Sequence, residues 1–76
     1  MKTFTIRIDS IDKVKRFVNI VTTLNGDFDL VSERYVVDAK SIMGIFSLDL
    51  DKDLKLNVSE DADFEDASAK LKEFIV

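Results

Sequence analysis

The 76-residue sequence contains no histidine, no cysteine, no proline and no tryptophan. Without histidine, no side chain has its ordinary pKa between about pH 5 and 8, which excludes an imidazole base, a Ser-His-Asp triad and a phosphohistidine. Without cysteine there is no thiolate nucleophile, no disulfide and no thiolate ligand for zinc or an iron–sulfur cluster. Most catalytic chemistry is therefore excluded, and we expect neither an enzyme nor a bound metal or cofactor.

The residues that are present are typical of one small globular domain. Hydrophobic residues make up 46% of the chain and charged residues 34%, whereas a disordered chain is poorer in apolar residues. A chain of this length has room for one core, so we predict a single domain over residues 1–76. No apolar run approaches the roughly 18 residues of a membrane span, and the N-terminal residues do not resemble a signal peptide. We therefore expect a soluble, cytoplasmic protein.

The charge balance is acidic, with a net charge of −4 and a sequence pI of about 4.6. Such a field repels phosphate backbones and anionic membranes. The sequence therefore predicts no direct contact with nucleic acid and none with a membrane.

Hydrophobic periodicity indicates a strand followed by a helix in the first third of the chain. Residues 3–9 alternate apolar and polar side chains, which predicts a half-buried strand. Over residues 11–24 the apolar residues recur every three or four positions, which predicts a helix. Ser10 stands at the N-cap position, and Asn25 and Gly26 favour a left-handed stop at its end.

The remaining elements follow from the same two periods. Residues 27–32 and 35–39 predict two strands, and the short connection between them favours a hairpin. Residues 41–48 predict a short helix capped by Ser41, residues 54–58 predict a strand, and residues 64–74 predict a helix. The order β-α-β-β-α-β-α predicts an α+β fold in which helices cover one face of a mostly antiparallel sheet.

One acidic segment is partly similar to a calcium-binding EF-hand loop. Oxygen-bearing side chains occupy its positions 1, 3, 5, 9 and 12, namely Asp49, Asp51, Asp53, Asn57 and Glu60. Position 6, however, is Leu54 instead of the glycine that the sharp turn needs, and the residues that follow alternate as a strand. An acidic turn that leads into a strand is the better interpretation, with a calcium site as the alternative.

Two further charged clusters have an ordinary explanation. The carboxylates of Asp61, Asp63, Glu65 and Asp66 could serve a metal or an acid–base pair, but at a helix start they are more often exposed caps that complement the dipole. The cations Lys13, Lys15 and Arg16 could receive an acidic partner or a phosphate. Three charges are too few for a nucleic-acid surface, so a solvated helix face is the favoured interpretation.

The predicted second helix is more apolar than a single buried face requires. If Ile45 and Leu48 lie against the core, then Ile42, Met43 and Phe46 cannot all do so, and an exposed Met and aromatic surface is a candidate for protein recognition. A phosphoryl group on Ser41 would place negative charge at a helix N-terminus, where it is tolerated. A plain capping serine is the simpler interpretation of Ser41.

Residues 39–48, Ala-Lys-Ser-Ile-Met-Gly-Ile-Phe-Ser-Leu, resemble the regulatory-serine segment of HPr, the phosphocarrier of the bacterial phosphoenolpyruvate:sugar phosphotransferase system, and of its relative Crh. A weaker similarity extends from residue 3 to the C-terminus. The resemblance implies an open-faced β-sandwich, with a four-stranded antiparallel sheet under three helices. It implies that Ser41 matches the serine that HPr kinase/phosphorylase phosphorylates, and that Ile42, Met43 and Phe46 belong to the partner-binding patch.

The sequence departs from the family where HPr carries its phosphoryl group. HPr has a histidine in a Gly-[IL]-His-[AT]-Arg-Pro-Ala segment, whereas residues 9–14 here read Asp-Ser-Ile-Asp-Lys-Val. Neither a serine ester nor an isolated aspartyl phosphate replaces a phosphoimidazole in transfer chemistry. We therefore predict no phosphocarrier activity from phosphoenolpyruvate.

The combined expectation is a regulatory protein of the HPr type, modified on Ser41 by a serine kinase. Its partners would be that kinase and a transcriptional regulator or a metabolic enzyme, and by analogy with Crh it would be a monomer or a weak dimer. The alternative is an interaction module in which Ser41 only caps a helix.

Overall fold

The alternating apolar residues form one antiparallel sheet in the computed structural model, which describes residues 2–33 and 35–76. Four strands are described: β1 (Lys2–Ile6), β2 (Phe28–Ser32), β3 (Tyr35–Asp38) and β4 (Leu54–Val58). Their order across the sheet is β1-β4-β2-β3, and every pairing is antiparallel. The prediction of a four-stranded antiparallel sheet is confirmed.

The segments with helical spacing form three helices, α1 (Ile11–Val21), α2 (Ile42–Phe46) and α3 (Phe64–Lys70), and a 3₁₀ turn at Lys72–Phe74 follows α3. The predicted order β-α-β-β-α-β-α is confirmed. Within the described residues, no helix has the length and apolar character needed to cross a bilayer.

The core lies between the helices and one face of the sheet. From α1 it receives Val14, Phe17 and Val21, and the Phe17 ring meets Phe74 edge to face at 5.5 Å between centroids. Phe4 stacks on Phe64 of α3 at 4.5 Å. The other side of the sheet, here called the open face, carries two cross-strand rows, Thr5-Lys55-Val31-Val36 and Thr3-Asn57-Asp29-Asp38.

Helix α1 ends three residues before the predicted boundary. The hydroxyls of Thr22 and Thr23 donate to the carbonyls of Asn19 and Ile20, at 3.1 and 2.6 Å, and the Thr23 N–H also bonds to Ile20, which tightens the last turn to 3₁₀ spacing. The turn then closes through Gly26, whose φ of 101° is a conformation that L side chains rarely adopt.

The predicted first strand and last helix are also shorter than expected. The ladder between β1 and β4 ends at Ile6, after which the Arg7 N–H donates to the carbonyl of Phe74 at 2.8 Å. Ile8 is nevertheless fully buried. This explains why the alternation of residues 3–9 predicted a strand that extends beyond Ile6. The last helix breaks at Leu71, where the backbone is no longer helical, and continues as the 3₁₀ turn.

The two edges of the sheet differ. Residues near the C-terminus cover the outer edge of β1, because Ile75 bridges to Ile6 and the Val76 N–H donates to the carbonyl of Thr5 at 3.0 Å. The outer edge of β3 has no strand beside it among the described residues.

Candidate functional site

Ser41 lies exposed at the start of α2 and caps it. Its backbone is extended, with φ −105° and ψ 104°, and its Oγ accepts a hydrogen bond from the Gly44 N–H at 3.3 Å. Its carbonyl accepts the first helical bond, from the Ile45 N–H at 3.1 Å. The capping position predicted for Ser41 is confirmed, and the residue is exposed.

Gly44 allows the start of α2 to lie close to the sheet. A Cβ at this position would stand 3.3 Å from the Cβ of Val37 on β3 and 3.4 Å from the Oγ of Ser41. A side chain at position 44 would therefore require Val37 or the start of α2 to shift by a few tenths of an ångström.

Lys40 anchors the residue before the cap. Its Nζ donates to the carbonyls of Leu24 and Gly26, at 2.9 and 3.0 Å, and lies 5.7 Å from the centroid of the Phe28 ring. The Lys40 N–H donates to the carboxylate of Asp38 at 2.9 Å. The partly buried ammonium thus joins the start of α2 to the turn that follows α1, a role that the sequence pattern did not indicate.

The apolar residues of α2 divide between the core and the surface. Ile45 and Leu48 are buried, and Ile42 packs partly against the core. Met43 is 78% exposed and Phe46 42% exposed. We call Ile42, Met43 and Phe46 the α2 patch. The expectation that these three side chains could not all face the core agrees with their positions, whereas partner binding itself stays a prediction.

The start of α1 carries a second serine cap. The Ser10 Oγ accepts a hydrogen bond from the Lys13 N–H at 3.2 Å, and the Lys13 ammonium lies 3.1 Å from the carboxylate of Asp9. The hydrogen bond and the charge of Lys13 lower the pKa of the Asp9 carboxyl below its usual value. Ile11 is 63% exposed. This junction offers a cap and a surface ion pair, and residues 9–14 include no histidine.

The residues of the EF-hand-like segment face different neighbours. The carboxylate of Asp53 pairs with Arg7 at 3.1 Å, whereas Asp49 lies 3.9 Å from the Lys52 ammonium and accepts the N–H of Asp51. Asn57 lies on β4 and accepts the hydroxyl of Thr3. Within residues 2–33 and 35–76 no group of three or more acidic side chains could hold a metal ion. The arrangement favours the acidic turn over calcium.

The acidic start of α3 consists of helix caps and ion pairs. Asp63 accepts the Asp66 N–H at 3.0 Å, and the carboxylate of Asp66 pairs with Lys70 at 3.3 Å. Asp61 accepts the hydroxyl of Ser59. These contacts agree with the interpretation of the cluster as exposed caps.

The cations of α1 do not converge on one site. Arg16 pairs with Glu73 at 3.5 Å, Lys13 is occupied by Asp9, and Lys15 is exposed. The structure therefore agrees with a solvated helix face.

Comparisons with known proteins agree on one family. The family model described as the PTS HPr component phosphorylation site matches residues 12–76. The crystal structure of HPr-C-His from Thermoanaerobacter tengcongensis is similar, with a TM-score of 0.81 and 30% sequence identity, and the match covers 99% of this chain and 91% of that chain. No curated protein matches the chain significantly.

Proposed function

The chain belongs to the HPr family of the phosphoenolpyruvate:sugar phosphotransferase system, and we propose that it serves as a regulatory protein, phosphorylated on Ser41, that binds protein partners through the α2 patch. HPr proteins are phosphocarriers, but this sequence has no histidine to carry the phosphoryl group. The observation that supports a regulatory role is the start of α2, where an exposed capping serine is followed two and five residues later by the exposed side chains of Met43 and Phe46.

Loss of the carrier step follows from the residues at the α1 junction. The junction offers the hydroxyl of Ser10 and the carboxylate of Asp9, which pairs with the ammonium of Lys13 at 3.1 Å. A carboxylate or hydroxyl ester at this place would need an activating site of its own to pass its phosphoryl group onward. We therefore expect no phosphoryl transfer from phosphoenolpyruvate through this chain.

Phosphorylation of Ser41 requires a kinase and ATP. The Ser41 Oγ attacks the γ-phosphorus, the bond to the departing ADP oxygen breaks, and the hydroxyl proton passes to a base of the kinase. The product adds a charge of about −1.5 to −2 beside the α2 patch. Among the described residues the hydroxyl accepts one long hydrogen bond, from the Gly44 N–H at 3.3 Å. A phosphate oxygen can accept that bond in its place, so the helix start is kept.

The partner chemistry follows from the same surface. Exposed Met and Phe side chains favour a protein partner, because they fill apolar pockets and adapt to their shape. The partners we propose are a kinase of the HPr kinase/phosphorylase type and a transcriptional regulator or a metabolic enzyme. The net charge of −4 argues against direct contact with nucleic acid or a membrane. We propose a cytoplasmic location, no cofactor and a monomer or weak dimer.

The decisive experiment is a kinase assay followed by intact-mass measurement. The chain, its Ser41→Ala variant and a histidine-containing HPr are each incubated with HPr kinase/phosphorylase and ATP. We expect one added phosphoryl group on the chain and on HPr, and none on the variant. Modification of HPr alone would refute the assignment of Ser41.

The alternative is an interaction module in which Ser41 acts only as a cap. The hydrogen bond from Gly44 to the Ser41 hydroxyl favours this role. In that case Ser41→Ala lowers the free energy of unfolding by about 1 kcal/mol and leaves partner affinity unchanged. Phosphorylation of Ser41 that alters capture of a partner distinguishes the two functions.

A further inference from the structure

The outer edge of β3 carries backbone groups that no described strand uses. The Ala39 N–H donates to the carbonyl of Phe28 at 2.8 Å, and in the same register Val37 lies opposite Leu30. Because partners in an antiparallel ladder alternate, the N–H and C=O of Val36 and the N–H of Asp38 point away from β2. These three groups form a short template for another strand.

The side chains of β3 give this edge little protection. Natural edge strands are usually guarded by lysine, proline, a bulge or a covering segment. Tyr35–Asp38 contains neither lysine nor proline, its register with β2 has no bulge, and Tyr35 and Val36 are 64% and 63% exposed. Edge strand β1, in contrast, is covered by Ile75 and Val76.

The charges beside this edge favour a cationic neighbour. Asp29 and Asp38 lie directly opposite each other on the open face, an arrangement in which like charges repel. Neither forms an ion pair with another described residue, and Asp38 only accepts the backbone N–H of Lys40. A lysine or arginine side chain placed across the edge from Asp38 would be attracted to both carboxylates.

We propose that the β3 edge binds an extended segment of a partner protein by strand addition. The segment has an apolar residue opposite Val36 and, two positions along on the same face, a lysine or arginine opposite Asp38. The backbone groups of Val36 and Asp38 supply the ladder, and the side chains select the sequence. This site is separate from Ser41 and does not depend on its phosphorylation.

The test uses a capped heptapeptide with valine at its second and sixth positions, lysine at its fourth, and threonine elsewhere. Its palindromic pattern fits β3 in either direction. We expect saturable shifts of the amide resonances of β3 in nitrogen-15 spectra of the full chain, largest at Val36. A peptide with glutamate in place of lysine should bind at least fivefold more weakly.

Three variants and one control locate the contact. Val36→Pro removes an N–H that β2 does not use, so the chain should fold and lose the β3 shifts. Val36→Lys keeps the N–H and should also prevent binding. This variant provides the same test if the proline variant does not fold. Asp38→Asn keeps the oxygen that accepts from Lys40 and should weaken binding about two- to fivefold, whereas Asp12→Asn, an exposed change of equal charge, should not.

Specific outcomes overturn the proposal. Shifts confined to the α2 patch, no shifts at millimolar peptide, or equal affinity for the lysine and glutamate peptides would each contradict it. A mass that rises with concentration in the chain alone, and that Val36→Pro abolishes, would assign the edge to a second copy instead. None of these results depends on the kinase assay, so failure of one proposal leaves the other standing.

Discussion

Ser10 and Ser41 begin their helices with the same local contact. Each hydroxyl accepts a hydrogen bond from the backbone N–H three residues later, at 3.2 Å for Ser10 and 3.3 Å for Ser41. Both serines are exposed. The helices that they cap differ in length, since α1 has 11 residues and α2 has five.

The residues on either side of the two caps have different neighbours. At α1 they are Asp9 and Lys13, which pair with each other on the surface at 3.1 Å. At α2 they are Lys40, which contacts the turn after α1, and Gly44, which lies against strand β3. A five-residue helix is too short to be stable alone, so α2 depends on these tertiary contacts for its stability. The start of α1 is maintained locally, whereas the geometry of Ser41 depends on distant parts of the chain.

The largest expected effect comes from the residues before the caps. Lys40→Met leaves the carbonyls of Leu24 and Gly26 without their charged donor and should lower the free energy of unfolding by about 2 kcal/mol. Asp9→Ala removes only an exposed ion pair and should change stability little. Urea unfolding followed by circular dichroism measures both. Equal losses would show that the two starts are anchored alike.

The third helical position gives the next comparison. Gly44→Val forces its side chain against Val37 and should destabilise the fold by about 1–2 kcal/mol. Lys13→Val, at the equivalent position of α1, meets solvent and should have a much smaller effect. Urea unfolding measures both variants. A free energy of unfolding that Gly44→Val leaves unchanged would contradict the difference expected between the two helices.

The caps themselves should behave more alike. Ser10→Ala and Ser41→Ala should each cost about 1 kcal/mol, because each leaves a helix N–H without its acceptor. Replacement by Asp should restore most of the loss at both positions. Amide hydrogen exchange gives a second readout, in which Ser41→Ala increases exchange within α2 and Ser10→Ala within the first turn of α1. Exchange that rises at the other helix instead would contradict the local role of each cap.

The smallest effect is a pH dependence confined to α1. The pKa of Asp9 is lowered by Lys13, so this contact stabilises the folded state above the usual carboxyl range and is lost as pH falls through the lowered pKa. Lys13→Met should therefore be slightly less stable than the parent near pH 6 and equal to it near pH 2. A difference that grows on acidification would have the wrong sign for this contact.

The sequence predicted the helices and strands more completely than the tertiary contacts between them. Alternation at Leu54 to Val58 and helical spacing along α1 reflect local geometry, and serine caps act within one turn, so these features could be predicted. The contact from Lys40 to Leu24 joins residues 16 positions apart, and periodicity says which face is buried without saying what covers it. The early end of α1 likewise depends on threonine hydroxyls that bond back to the helix.

The candidate site divides in the same way. The capping role of Ser41 follows from residue type and position. The excess of apolar residues on a short helix predicted that some of Ile42, Met43 and Phe46 are exposed, but not that Ile42 is the one that packs against the core. The open edge of β3 could not be predicted, because the sequence does not tell which strands lie at the margins of the sheet.

The order β1-β4-β2-β3 also determines when each strand can find its neighbour during synthesis. The β2–β3 hairpin can close as soon as it is made. Strand β1 is made before the other three described strands, and its ladder partner is β4, so the pair Lys2–Val58 can form only after residue 58 has been synthesised. Closing so long a loop slows folding. Until then Phe4 and Ile6 stay unburied on a nascent chain, and this interval is when the protein is most exposed to aggregation and to chaperones.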